Sequence, residues 1–193
     1  MVMPAPFHVI AFALLCVVTI IAATTDVRTG LVPNWLTLPA AGLGVLLAIL
    51  AGLIHPDAGG RFGPLSGSLL GLLAGFLPCL VFFIFGLIGG GDVKLMAAVG
   101  AISASPAMVL DIALYATLVA MAYAIVMIIR RKLLRQTIRN VTHAAMMAAA
   151  KQKPNLSDDG PRAPIAVAIA IGAGLAGAEH LLGWQPPWAP WGF

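Results

Sequence analysis

The sequence predicts an all-α polytopic membrane protein with about six transmembrane segments. Of its 193 residues, 61% are hydrophobic and only 9% are charged, and the mean hydropathy is +1.00, outside the range of soluble globular domains. The apolar residues also form runs of helix length, and a helix across the hydrocarbon core needs about 20 of them. Such runs fill most of the chain, so we expect a single membrane domain over residues 1–193.

Six apolar runs provide these segments, at about 7–24, 36–54, 66–88, 95–104, 106–129 and 164–183. The first looks like a secretory signal, but no Lys or Arg precedes it and it is longer than a signal core, so we expect an uncleaved helix. Pro33 and Asn34 mark the start of the second helix, where Asn34 can cap the backbone. Pro106 and Pro164 open the fifth and sixth.

The fourth run is short. About ten residues with a rise of 1.5 Å each cannot cross the hydrocarbon core. We expect a short segment entered through irregular backbone at Gly89, Gly90 and Gly91, which makes GGGD a loop at the membrane rim. Non-helical backbone at that depth is tolerated only where protein or water covers it.

Small residues recur every four positions on two of the predicted segments. On the third they are Gly67, Gly71 and Gly75. On the sixth they are Ala166, Ala170, Gly174 and Ala178. Both faces predict close helix packing in lipid.

Positive charge is concentrated in one part of the chain. Eight of the eleven Lys and Arg residues fall between Arg130 and Arg162, so the positive-inside rule predicts a cytoplasmic loop at about 130–163. Its residues 130–147 have an amphipathic pattern, which fits either a helix on the leaflet surface or a solvated loop. We expect the lipid bilayer as surroundings and no nucleic-acid partner. Cys16 and Cys79 lie inside apolar runs without metal-ligand spacing, so buried structural thiols are expected.

Asp26 and Asp92 differ from the other acidic residues. Asp26 follows the first segment and Asp92 the third, and the two spans between them return the chain to the same side of the membrane. Each has a cation two residues later, Arg28 and Lys94 respectively. If the fourth run counts as a crossing, this side also carries the basic loop and is therefore cytoplasmic.

Two explanations of these pairs are open. A salt bridge or snorkelling anchors at the membrane rim would account for them without chemistry. Alternatively, two carboxylates in a low-dielectric site share a proton, so that one serves as general base on a water and the other as general acid toward a scissile carbonyl. For the remaining carboxylates we expect solvated surface or packing interfaces: Asp57, Asp158, Asp159, Asp111 and Glu179.

The sequences around both aspartates resemble the motifs of type IV prepilin peptidases. TDVRTGLVPNWLT, residues 25–37, is similar to the family's first motif, an Asp followed by an aliphatic-Pro-Asn triplet. GGGDVK, residues 89–94, is similar to the second, GxGD with a following lysine. The resemblance covers nearly the whole chain, and the combination of both motifs with two intervening spans is specific.

This resemblance implies an aspartic endopeptidase of the bacterial inner membrane, with Asp26 and Asp92 catalytic and facing the cytoplasm. Such enzymes cut the basic leader from prepilins and pseudopilins, in support of pilus assembly or secretion. Supporting or substrate-binding roles are implied for Gly89, Gly90, Gly91, Lys94, Arg28, Pro33 and Asn34. Glycines at 89–91 would leave room for an extended substrate. No metal or organic cofactor is implied.

The chain is most similar to the short members of the family, which are associated with Flp pili and tight-adherence secretion. It has no cysteine-rich region before the first helix, so peptidase activity without methylation is expected. Two alternatives belong to other classes. One is a small transporter or proton-conducting protein that uses intramembrane carboxylates. The other is a structural membrane component of the secretion apparatus.

Overall fold

A computed structural model describes residues 5–55, 63–130 and 165–182. These residues form six helices and no strands: α1 (Ala5–Thr29), α2 (Asn34–Ile54), α3 (Gly63–Ile84), α4 (Gly90–Ser103), α5 (Pro106–Arg130) and α6 (Ile165–Leu182). Four stretches are long and apolar enough to cross a membrane: Phe7–Thr29, Asn34–Ile54, Gly63–Ile84 and Pro106–Met127. The prediction of an all-α polytopic membrane protein is confirmed. Asp57, Pro164 and nearly all of the predicted basic loop lie outside the described residues.

The chain separates into two compact units. One comprises Met1–Thr117 and Pro164–Phe193, and it contains both aspartates. The other is Leu118–Ala163, whose described part is the end of α5, with exposed apolar side chains such as Ile125 and Val126.

The helix boundary differs from the sequence prediction at both aspartates, and the third helix ends at Ile84 rather than at 88. Asp26 lies in the last turn of α1, which continues to Thr29. Asp92 lies in the first turn of α4, which begins at Gly90 rather than at 95, so Gly90 and Gly91 are helical. The predicted rim loop is therefore confined to residues 85–89. An apolar pattern ends at the first charged residue, whereas a helix at the membrane rim continues through it.

The glycine face of α3 packs directly on the backbone of α4. A Cβ atom at Gly67, Gly71 or Gly75 would overlap a carbonyl oxygen of α4 or of Ala104, the residue that follows it. Those oxygens belong, in the same order, to Ala104, Gly100 and Met96. Each step of four residues along α3 thus matches a step of four in the reverse direction along α4, so the two helices are antiparallel. The predicted close packing of this face is confirmed.

The short helix α4 is the buried centre of the first unit. Nine of its fourteen residues, from Val93 to Ser103, are buried. On its α2 side, a Cβ atom at Gly44 would lie 2.6 Å from the backbone nitrogen of Ile102. On its α3 side, the buried Ser68 hydroxyl donates to the Ala101 carbonyl at 2.7 Å. Protein thus covers α4, as expected for a segment too short to span alone.

Helix α4 carries the chain over most of the length of α3. Its start lies beside the end of α3, since a Cβ atom at Gly90 would be 3.3 Å from the Phe83 ring. Its end lies beside Gly67, in the second turn of α3. There Ala104 adopts a left-handed conformation with φ of 48°, and α5 begins at Pro106, as predicted. The start of α5 is therefore on the side opposite to Asp92.

The predicted small-residue face of α6 is wrong in its register. A Cβ atom at Gly174 would have no atom within 4 Å. The close approaches are made instead by Gly172, which lies on the α5 backbone at Ile112, and by Gly177, which lies on the Phe12 ring of α1. Ala and Gly occur at many positions of α6, so a repeat of small residues every four positions is present on more than one face of the helix. The sequence alone does not show which of these faces packs against a neighbour.

Candidate active site

Asp26 is held at the end of α1 by a helix stop two residues before the Val32-Pro33-Asn34 triplet. The backbone N–H of Gly30 donates to the Asp26 carbonyl at 2.8 Å, and Gly30 has a φ of +66°. This left-handed conformation is the common way to end a helix and favours glycine, which has no Cβ. The chain turns there, so the half-buried Asp26 lies one helical turn before the short loop that connects α1 to α2.

Asp92 follows a second turn in which a glycine has a left-handed conformation, between α3 and α4. Helix α3 ends at Ile84, the chain turns at Gly86, whose φ is +72°, and Gly89 is extended just before α4. The Asp92 N–H donates to the Gly89 carbonyl at 3.1 Å, which starts the helix. A Cβ atom at Gly89 would lie 3.2 Å from Asp92 Oδ2, so its absence leaves space beside the carboxylate.

The two aspartate motifs pack on each other through Gly91 and Val32. A Cβ atom at Gly91 would lie 3.1 Å from the Val32 Cβ and 3.3 Å from both the nitrogen and the oxygen of Val32. Val32 is buried and belongs to the aliphatic-Pro-Asn triplet. Gly91 is thus required for a close approach and not for an unusual backbone conformation.

Lys94 and Asn34 connect the same two motifs. The Lys94 ammonium donates to Asn34 Oδ1 at 2.9 Å, across an exposed part of the rim. Asn34 was expected to cap α2, but Pro33 occupies the cap position, with φ of −75° and ψ of 143°, and no side-chain cap bond forms. Asn34 is instead the first helical residue, so its side chain is available to Lys94. Arg28 is exposed on the last turn of α1.

A third helix reaches Asp26 from the far end of the sequence. The backbone N–H of Ala166, in the first turn of α6, donates to Asp26 Oδ2 at 3.2 Å. A backbone donor has no sequence signature, so this contact could not be predicted from residue types. It also shows that α6 begins on the aspartate side.

The electrostatics of Asp92 connect the two carboxylates. Burial, followed by the negative charge of Asp26, raises the pKa of Asp92 from its ordinary 3.8 to about 6, while a backbone hydrogen bond from Gly89 opposes the shift. The Asp92 charge also acts on the thiol of Cys79, so α3 forms part of the surroundings. The two carboxyl groups are therefore close enough for the charge of Asp26 to act on Asp92.

The other described carboxylates lie away from this rim. Glu179 of α6 accepts a hydrogen bond from the Tyr115 hydroxyl of α5, and Asp111 lies in the second turn of α5. Within residues 5–55, 63–130 and 165–182, no three His, Cys, Asp or Glu side chains are grouped closely enough to hold a metal ion.

Comparison with known proteins identifies the family of the chain. No curated protein and no solved structure matches it. The model of the type IV leader peptidase family matches residues 13–129, more than half of the chain, and both aspartates fall within the match. The protein therefore belongs to the type IV leader peptidase family, and its helices make it a membrane peptidase.

Proposed function

We propose that the protein is an aspartic endopeptidase whose catalytic groups are Asp26 and Asp92. One observation carries this proposal: the charge of Asp26 raises the pKa of Asp92, although 65 residues separate the two in the sequence. A half-buried carboxyl that titrates near pH 6 beside a second carboxyl is the arrangement that acid–base hydrolysis needs. A rim salt bridge is less well supported, since Lys94 donates to Asn34.

The chemistry requires both ionisation states at once. The ionised carboxylate takes a proton from a water, and the protonated carboxyl polarises the scissile carbonyl. Helices α1 and α4 contribute one carboxyl each, and the contact of Gly91 with Val32 fixes their relative position. Gly89 leaves the approach to Asp92 open, which suits an extended peptide.

The proposed substrates are Flp-type prepilins and pseudopilins, cut where the basic leader meets the hydrophobic helix. Membership of a leader peptidase family supports cleavage of a leader. The similarity of the two aspartate motifs to the short, peptidase-only members supports the Flp type. The biological role would then be pilus assembly or protein secretion.

We further propose that the protein lies in the bacterial inner membrane with its aspartates facing the cytoplasm. Helix α4 returns over the length of α3, which supports its being a crossing. With that crossing counted, the number of spans supports the expectation from the sequence that the basic segment is on the aspartate side. The start of α6 beside Asp26 supports the same topology, because the segment that holds eight of the eleven Lys and Arg residues leads into α6. The positive-inside rule makes that side cytoplasmic.

A processing assay tests the proposal. Membranes containing the protein are incubated with a Flp-type prepilin, and the precursor and the shortened product are separated by gel electrophoresis. Wild type should shorten the precursor, whereas Asp26→Asn and Asp92→Asn should leave it uncut while accumulating normally in the membrane.

Glu179→Gln is the matched control for this assay. It also exchanges a carboxylate for an amide, but the amide oxygen still accepts the Tyr115 hydrogen bond. It should process normally. Normal cleavage by either aspartate variant would rule out the proposed mechanism, and a cut outside the leader junction would rule out the proposed substrate class.

A further inference from the structure

We propose that Ala166 is a positioning residue of the active site, whose backbone N–H orients the carboxyl group of Asp26 and makes α6 part of the peptidase site. The family match ends at residue 129, whereas α6 spans Ile165–Leu182, so membership of the family assigns no role to this helix. The inference rests on the proposed function, because it concerns one of the two proposed catalytic groups. It goes beyond that function by adding a third helix on which cleavage depends.

The N–H of Ala166 needs an acceptor outside its own helix. Ala166 is the second residue of α6, and the N–H groups of a first helical turn have no partner within the helix. The residue is also fully buried, so water does not replace the missing partner. The acceptor is Asp26 Oδ2, at 3.2 Å. The bond therefore joins a buried, directional donor to a proposed catalytic carboxyl group.

A bond of this kind restricts the Asp26 side chain. Asp26 is a half-buried residue in the last turn of α1, and without the bond its carboxyl group can rotate about two side-chain bonds. A donor at Oδ2 selects one orientation, in which Oδ1 remains for the water that is to be activated. Catalysis depends on such orientation, since a displacement of about 1 Å can lower the rate about 100-fold.

The packing of α6 on α5 determines where this donor lies. A Cβ atom at Gly172 would be 2.7 Å from the Ile112 carbonyl oxygen and 2.9 Å from the Ala116 nitrogen. Glycine at this position therefore lets the two backbones touch, about 9 Å along the helix axis from Ala166. An added methyl group would push α6 away from α5, and the donor to Asp26 would move with the helix.

The packing of α6 on α1 holds the donor beside its acceptor. Gly177 lies on the Phe12 ring, while Ala166 contacts Asp26, so α6 runs antiparallel to α1. The hydrogen bond is thus one end of a packed interface between two helices. A helix held in this way can fix the direction of a side chain, which a free loop cannot do.

A purely structural role is the alternative, in which Asp26 serves only to satisfy the start of α6. The two roles have different effects on the folded enzyme. Loss of a structural bond lowers the folded fraction and leaves the kcat of that fraction unchanged. Loss of a positioning bond lowers kcat while KM is nearly unchanged, because the substrate still binds.

Replacing the Ala166 amide by an ester separates these roles. Incorporation of lactic acid at position 166 removes the donor and adds no bulk, which matters because the residue is fully buried. Steady-state cleavage of a Flp-type prepilin is then measured for the full chain in detergent, relative to the folded fraction. We expect kcat to fall by about 10- to 100-fold with KM nearly unchanged. An unchanged kcat would leave only the structural role and overturn the proposal.

The matched control is the corresponding ester at Val167, the next residue of the same turn, made with 2-hydroxyisovaleric acid. It makes the same backbone change, but its N–H is not the donor to Asp26. Its kcat should equal that of wild type. An equal loss at both positions would mean that the ester disturbs the start of α6 in general, which would also overturn the proposal.

Gly172→Ala should lower kcat in the same way, because its Cβ would displace α6 from the α5 backbone. Gly174→Ala is its matched control on the same helix, since a Cβ atom there would have no atom within 4 Å, and it should cleave as wild type does. In the Ala166 ester, Gly172→Ala should cause no further loss of kcat, because the bond that it displaces is already absent. Losses that multiply would contradict the proposed link between this packing and Asp26.

Hydrogen exchange of the Ala166 amide tests the contact without activity. The exchange is followed by NMR on the isotope-labelled full chain at a single pH. Asp26→Ala removes the acceptor and should speed the exchange by at least about tenfold, whereas Asp92→Ala should leave it unchanged. Equal exchange in wild type and Asp26→Ala would overturn the proposal. If wild type cuts no prepilin but the exchange rates differ as expected, the proposed function fails and the contact that orients Asp26 stands.

Discussion

The α3–α4 interface and the aspartate rim are held together by different means. At the interface, the backbones touch because Gly67, Gly71 and Gly75 have no side chains that would separate them. At the rim, the parts are joined by few polar contacts, such as the bond from Ala166 to Asp26 and the bond from Lys94 to Asn34. Contacts at the interface thus hold α4 in the bundle, whereas contacts at the rim join the segments that carry the two carboxyl groups. Changes at the interface should reduce stability, and changes at the rim should reduce activity.

The largest stability effect is expected for Gly71→Ala. The new Cβ would overlap the Gly100 carbonyl oxygen, and a backbone atom cannot turn away as a side chain can. We expect a loss of about 1–3 kcal/mol in the free energy of unfolding, measured by denaturant or thermal unfolding in detergent.

Gly42→Ala is the matched control for this loss. Gly42 is also a helical glycine, but a Cβ atom there would have no atom within 4 Å. This variant should be neutral or more stable by about 0.5–1 kcal/mol, because alanine has less backbone entropy to lose. Equal destabilisation of both variants would mean that helix propensity, and not the α3–α4 approach, explains the effect.

Gly91→Ala should reduce activity more than stability. Its Cβ would push against Val32 and shift the first motif relative to Asp92, and a displacement of this kind can lower kcat/KM by about 10- to 100-fold. Gly90→Ala is the comparison, since its Cβ would meet only the end of the exposed Phe83 ring, which can move. Steady-state cleavage assays on both variants check this, and a similar loss in Gly90→Ala would argue against the contact of Gly91 with Val32 as the cause.

Asp92→Asn should give a smaller, pH-dependent gain in stability. Because the pKa of Asp92 is raised from 3.8 to about 6, the folded protein keeps a proton between these values that the unfolded chain has lost. The stability of wild type therefore falls as the pH rises through this window. The variant should melt about 2–4 °C above wild type near pH 7.5, with little difference near pH 4. A pH-independent difference would contradict the raised pKa.

Much of the fold could be predicted because it depends on local patterns. Apolar runs indicated the helices, Pro106 marked the start of α5, and the glycine face of α3 indicated a close approach. The number of spans between Asp26 and Asp92 predicted a common side, and in the structure the two lie close enough for the charge of Asp26 to act on Asp92.

The contacts that complete the site could not be predicted because they join distant parts of the chain. The glycine face of α3 does not reveal that its partner is α4, and nothing near Asp26 indicates a backbone donor 140 residues later. The cap expected at Asn34 was wrong for the same reason, since its side chain is used by Lys94, 60 residues away. Gly90 and Gly91 were expected in a loop, but they form the start of α4. The left-handed turn that follows α3 comes earlier in the chain, at Gly86.

The central claim is that Asp26 and Asp92 act as one catalytic unit. It is tested most directly by the cleavage rates of Asp26→Asn, Asp92→Asn and the double variant, measured on purified protein with a leader-bearing prepilin. Each single variant should be slower than wild type by at least about 1,000-fold, and the double variant should be no slower than either, because groups that act together are not additive. A single variant that keeps cleavage within about tenfold of wild type, or losses that multiply in the double variant, would contradict the claim.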